Sequence, residues 1–216
     1  MTALVRLDRR DDSKYQWDRK SRRFRDPSGK YVSQTRIKSI KNKIVDAEKK
    51  NAATLASRAV DGSMSPELFV RTMRALLRQT TLMEYMLGRG GLNAMTNSDN
   101  GRVGSMLRRQ YQYLNRFAAD IEAGLLTVEQ AQRRAEMYIE TARNSYERGQ
   151  AASWDIRLPE YPPRHVNCAC SWAISAHGSG KDREIRAYWR VNSANVCDEC
   201  KSLQETHAPY RIPSPE

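Results

Sequence analysis

The stretch Ser65-Pro66-Glu67-Leu68-Phe69-Val70-Arg71-Thr72-Met73-Arg74-Ala75-Leu76-Leu77 reads as the opening of an amphipathic helix. Ser65 suits the N-cap, Pro66 the first helical position, and Glu67 the first turn, where the helix dipole favours a carboxylate. Leu68, Phe69, Met73, Leu76, Leu77, Met83 and Leu87 recur at three- and four-residue spacing, which predicts one apolar face and a helix ending at Gly88. Working backwards, Ile37, Ile40, Ile44, Ala47, Ala52, Leu55 and Ala59 predict an earlier helix that Asp61-Gly62 breaks.

Working forwards, Gly88-Arg89-Gly90-Gly91 and Asn97-Ser98-Asp99-Asn100-Gly101 bracket a short connector. No Gly-Lys-Ser/Thr follows these glycines and no strand precedes them, so the connector reads as a helix-to-helix turn and not a phosphate loop. Val103, Met106, Leu107, Gln110, Tyr111, Leu114, Phe117, Ala118 and Ile121 mark a third helix, closed by Gly124. Thr127-Val128-Glu129-Gln130 has the form of a capping box and opens a fourth, running through Ala131, Ala135, Tyr138, Ala142 and Tyr146 towards Gly149. Four helices of about 20 residues, each roughly 30 Å long, predict an elongated helical bundle. Methionine and tyrosine on these stripes read as core.

Two flanking regions differ in character. Residues 1–36 lack a sustained apolar period, and the order Asp26-Pro27-Ser28-Gly29 suits a tight turn, so this region reads as a basic arm or hairpin. Its aromatics Tyr15, Trp17, Phe24 and Tyr31 are expected to pin it to a neighbouring subunit or to stack on bases. Deleting the arm is then expected to spare the melting temperature of the helices. At the other end Pro159, Pro162 and Pro163 interrupt helix. The division is therefore an arm over 1–36, a helical domain over 37–150, and a small α+β module over 151–216. In that module Ser171 to Ile174 and Ala187 to Val191 read as strands, and Cys197 to Leu203 as a helical turn.

The chain of 216 residues carries Lys+Arg 37 against Asp+Glu 25, a net charge of +12, and only 39% hydrophobic residues. Residues 1–50 hold 16 basic and 7 acidic side chains, so most of the excess sits in the first quarter. Such a field suits a polyanionic partner, either nucleic acid or an acidic protein surface. Arg19, Lys20, Arg22, Arg23, Arg25 and Lys30, with Lys38, Lys41 and Lys43 on the first helix, are the expected contacts. No apolar run approaches the length of a membrane span, and the first residues are too polar for a signal peptide, so neither insertion nor secretion is expected.

All 4 cysteines lie between Cys168 and Cys200. His165-Val166-Asn167-Cys168-Ala169-Cys170 and Cys197-Asp198-Glu199-Cys200 form two close donor pairs separated by a loop, the arrangement a tetrahedral zinc ion needs. His165 could replace Cys168 or Cys170 in the ligand set; His177 and His207 are poorer by spacing. The alternatives are structural thiols, free or disulfide-linked, and a catalytic thiol paired with His165 or His177. A closed four-donor site leaves no position for substrate, so the module reads as structural: a metal supplies folding free energy that a small core lacks.

At these residues the chain resembles a known family. His165-x-x-Cys168-x-Cys170 is similar to the His-Pro-Asn-Cys-Arg-Cys ending of the Mu F-like head morphogenesis proteins of tailed phages, although here the Cys-x-x-Cys element follows it. Leu87-Gly88-Arg89-Gly90-Gly91, Met95-Thr96 and the tract from Gln110 to Phe117 resemble helical minor capsid proteins, and the arm from Phe24 to Ser33 is similar to arms in such proteins. The resemblance implies a non-enzymatic virion component, assembled in the host cytoplasm, that contacts the portal or major capsid protein in many copies and touches packaged DNA. The rival expectation is a soluble zinc-containing nucleic-acid-binding protein.

Overall fold

Ser33, Ser65, Thr96 and Thr127 each cap a helix, their side-chain oxygens accepting from Arg36, Leu68, Asp99 and Gln130 backbone N–H groups respectively. These caps set the architecture of the chain, whose computed structural model describes residues 16–18, 23–153, 158, 170–178, 184–191, 198–206 and 210–213. The fold is mainly helical. Strands β1 (Gln16–Asp18) and β2 (Arg23–Arg25) form an antiparallel ladder, followed by α1 (Gln34–Val60), α2 (Pro66–Arg89), α3 (Asn97–Glu122), α4 (Val128–Glu140) and α5 (Asn144–Ser153). A three-stranded antiparallel sheet, β3 (Ser171–His177), β4 (Glu184–Arg190) and β5 (Tyr210–Pro213), is ordered β3-β4-β5, and α6 (Asp198–Thr206) connects its last two strands. Among the described residues no helix is long and apolar enough to cross a membrane.

The main core lies between α1, α2, α3 and α4. Phe69, Phe117 and Tyr138, from three successive helices, form an aromatic column: Phe69 meets Phe117 edge-on at 5.4 Å, and Phe117 stacks on Tyr138 at 5.8 Å. Ala52, Ala56 and Ala59 on α1 and Ala131 and Ala135 on α4 are buried in the same core. Small side chains let these two helices approach closely. The buried face of α1 runs Ile37, Ile44, Val45, Glu48, Ala52, Ala56 and Ala59, a truer 3.6-residue period than the predicted stripe, and Ala47 is exposed.

Two helix boundaries differ from expectation for identifiable reasons. Asn97 to Gly101, read as connector, form the first turns of α3, because Thr96 and Asp99 make a reciprocal capping box. The predicted fourth helix is two, broken by the 3₁₀ turn Thr141–Arg143. There the Thr141 hydroxyl donates to the Tyr138 carbonyl and the Ser145 hydroxyl to the Ala142 carbonyl, competing with the backbone ladder.

The break lets α5 cross α2 at backbone contact. A Cβ on Gly88 would lie 2.0 Å from the Tyr146 carbonyl oxygen, and one on Gly149 would lie 2.1 Å from that of Tyr85. Both glycines were expected to end helices; both lie inside them, because a side chain at either would hold the helices apart.

The amino-terminal hairpin folds onto this junction. The Asp26 side chain accepts from the Ser28 and Lys30 N–H groups, and Gly29 takes φ +80°, as the turn reading required. Phe24, expected to seek a neighbouring subunit, is instead buried against Ile37, Leu87 and Tyr146 of its own chain. The trace of β2 places it there, directly over the α2–α5 crossing.

Candidate functional site

Along β4 the residues Ile185, Ala187 and Trp189 point inward and alternate with partly exposed neighbours, the pattern of a strand with one covered face. Trp189 pairs across the ladder with Trp172 of β3, their rings edge-to-face at 5.3 Å. Ala151 of α5, Leu158, Cys170 and Cys200 belong to the same buried cluster. Cys170 directly precedes β3, and its carbonyl accepts from Asn144 Nδ2 at 2.8 Å, so the first turn of α5 fixes the strand entry. Cys200 sits in α6, which packs on β4.

One thiol from each predicted donor pair is thus buried in one cluster, Cys170 at 3% exposure and Cys200 at 1%. The β3–β4 hairpin carries the chain out and back, and α6 then packs on β4, which is how Cys170 and Cys200 come to share one cluster. Cysteine sulfur is a soft donor of the kind zinc accepts. His165, Cys168 and Cys197, the remaining predicted ligands, and His207 lie outside the described residues. Among the described residues no group of three or more His, Cys, Asp or Glu side chains is arranged to hold a metal. His177 is exposed, with Nε2 2.9 Å from Ser175 Oγ. It ends the strand that Cys170 precedes, so at ~3.3 Å per residue it stands about 20 Å away and cannot share an ion with that thiol.

The basic residues expected to meet a partner divide. Arg25 is engaged inside the hairpin: its guanidinium donates to Asp18 at 2.8 Å and to the Gly29 carbonyl at 2.9 Å, and lies over the Tyr31 ring at 4.2 Å. Lys41 bonds Glu147 of α5 at 2.8 Å and lies over the Tyr146 ring at 4.6 Å, joining α1 to α5. These two cations hold the chain together. Lys30, Lys38 and Lys43 are exposed. Arg23 is placed in β2 by its backbone alone, and Arg19, Lys20 and Arg22 lie outside the described residues.

Net charge by segment missed two groups of residues. At one end of the bundle, Asp99 is buried and accepts from Tyr85 Oη at 2.8 Å, Arg89 Nε at 3.2 Å and Thr96 N at 2.9 Å. Arg89 also donates to the Ala152 carbonyl, tying α2, α3 and α5. Burial alone would push the Asp99 carboxyl up; the hydrogen bonds from Thr96, Tyr85 and Arg89 together outweigh it and hold it below the ordinary aspartate range. The second group is an arginine surface on α2 and α3. Its signal in the sequence is that residues 68–83 and 100–119 contain no Asp or Glu.

No protein family, curated protein or solved structure matches the chain.

Proposed function

We propose that the chain is a non-enzymatic structural component of a tailed-phage head, a helical body bearing a zinc-stapled carboxy-terminal module that docks on the portal or capsid. The observation that carries this reading is the burial of Cys170 and Cys200, one from each donor pair, beside Trp172 and Trp189 in a single cluster. Two of Cys168, Cys197 and His165 would supply the remaining donors of a four-donor set. Cys170 at the strand entry and Cys200 on α6 would be among the residues holding the ion, and a closed four-donor set would supply folding free energy and leave no position for substrate. Continuity with the body through Asn144 and Ala151 makes such a module an extension of α5.

Metal analysis of the purified full chain tests the staple, with about one equivalent of zinc expected and Cys197→Ser expected to lose it. Chelation should also shift the emission of Trp172 and Trp189. A full-length protein with no zinc, whose tryptophan emission ignores chelator, overturns the staple. Mass spectrometry of purified virions tests the setting. Absence of the chain there, with zinc present, favours a soluble zinc-containing nucleic-acid-binding protein, the reading to which the exposed Lys30, Lys38 and Lys43 also lend themselves.

A further inference from the structure

Between Lys50 and Lys181 every basic residue is an arginine. Several of these are consumed internally: Arg89 pairs with Asp99, Arg134 with Asp120, and Arg143 with Asp46 and Glu140. A second set is not. Arg71, Arg74 and Arg78 form one stripe of α2, and Arg74 reaches across the seam to α3, donating to Asn115 Oδ1 at 2.9 Å with its guanidinium 5.2 Å from the Tyr111 ring. Arg108, one helical turn before Tyr111, adds a cation from the α3 side. Arg71, Arg78 and Arg108 are exposed, and among the described residues none of the four is ion-paired.

The α3 flank beside this stripe is bare. Gly101 and Gly104 sit within a helix, where glycine costs about 1 kcal/mol against alanine. A Cβ on either would meet nothing within 4 Å, so no internal packing requires them. Their effect is outward: they remove side chains next to the arginines and let a bulky ligand approach the helix surface.

We propose that the seam between α2 and α3 is a binding surface for the sugar–phosphate backbone of nucleic acid, with Arg71, Arg74, Arg78 and Arg108 as its phosphate contacts. It goes beyond the structural reading above and needs neither the metal nor the particle. Arginine matches phosphate with a planar two-point fork, and the half-buried Arg74 is held by a neutral amide and an aromatic ring, neither of which cancels its charge. The stripe from Arg71 to Arg78 spans about 10 Å, the axial reach of about three consecutive phosphates on one strand. The absence of any carboxylate over both tracts gives a field of one sign. Nothing in the set is arranged to read bases, so binding is independent of sequence.

The test is fluorescence anisotropy of a labelled DNA duplex titrated with the full chain, alongside Arg71→Gln/Arg78→Gln/Arg108→Gln and, separately, Arg19→Gln/Lys20→Gln/Arg22→Gln. The seam variant is expected to bind about tenfold or more weakly at moderate salt, and its log K against log[salt] slope to fall by about 2 to 3, one unit per lost phosphate contact. Its circular dichroism and melting should match the unsubstituted chain, because exposed substitutions cost little. Unchanged affinity and slope in the seam variant overturns the proposal, whatever the arm variant does. Displacement of the duplex by polyglutamate as readily as by unlabelled DNA overturns it too, assigning the seam to an acidic protein.

Discussion

At the scale of single residues, the same glycine-to-alanine change has opposite signs at positions only a few turns apart. Gly88→Ala or Gly149→Ala forces a methyl group into a carbonyl oxygen of the facing helix, at 2.0 or 2.1 Å, and neither backbone can yield without parting α2 from α5. The expected loss is about 3 kcal/mol or more, the upper end of overpacking costs. Gly104→Ala meets open space and replaces a poor helix former by the best, so it should stabilise by about 0.5–1 kcal/mol. Urea denaturation of the three variants checks both signs; equal effects at Gly88 and Gly104 would contradict the crossing. Buried carboxylates divide similarly. Burial pushes the Glu48 carboxyl up, against a weaker opposing bond from Asn51 Nδ2, so its ionised form is disfavoured in the folded chain. A raised folded pKa makes stability fall as pH rises from the unfolded glutamate value through the folded one. Glu48→Gln, which keeps an acceptor for Asn51, should therefore be more stable than the parent at pH 7 and indistinguishable from it below the glutamate range. Asp99 runs the other way. Its lowered pKa gives stability that is whole above the ordinary aspartate range and is lost as pH falls through the folded value. Asp99→Asn should cost about 3 kcal/mol at neutral pH, because Arg89 loses its buried partner, and should flatten the acid limb of the stability curve.

At the scale of elements, what the sequence makes legible is what local chemistry alone decides. The Ser65-Pro66-Glu67 start and the Thr127 to Gln130 capping box stand where their residue types place them. So do the Asp26 turn and the two strands around Trp172 and Trp189, although β3 and β4 run longer or shift relative to the expected limits. What was illegible depends on a distant partner. Gly88 and Gly149 look like helix stops until the other helix is in place. The α4–α5 break rests on Thr141 and Ser145 hydroxyls that are compatible with unbroken helix. Strand β5, Tyr210–Pro213, gives no alternation of its own and is defined by pairing with β4, from Glu184 opposite Pro213 to Ala187 opposite Tyr210. The metal site is an expectation from spacing alone; what the fold adds, through the hairpin between them, is that Cys170 and Cys200 share one buried cluster. At the α5–β3 junction, Asn144→Ala removes a side-chain bond to the Cys170 carbonyl. The cost should be about 1 kcal/mol and local. Hydrogen exchange is expected to accelerate across β3 and β4 while α1 to α3 keep their protection; uniform acceleration would mean that the sheet and the helices open as one unit.

At the scale of the whole molecule, the reading of the amino-terminal region changes most. A separable arm should be dispensable to the stability of the helices, which is what its polar, aperiodic sequence suggests. Phe24 argues otherwise. Its ring is 1% exposed and packs with Ile37, Leu87 and Tyr146, where α1, α2 and α5 meet, and Leu87 adjoins the Gly88 crossing. Lys41 bonds Glu147 at the same junction, so the hairpin, α1 and α5 close over α2 together. Removing a buried phenylalanine typically costs about 3–5 kcal/mol. In a chain of this size each kcal/mol moves the melting temperature by about 2–4 °C, so Phe24→Ala should lower it by roughly 6–20 °C. Deleting residues 1–32 should do at least as much, since it removes the same ring and the turn that presents it. Calorimetry on both variants separates the cases. If deletion leaves the helical transition in place, Phe24 contributes nothing to the junction and the arm is free to bind elsewhere. If both variants melt early and alike, the hairpin is part of the body, and any contact this region makes with a partner must come from its exposed cations and not from its buried ring.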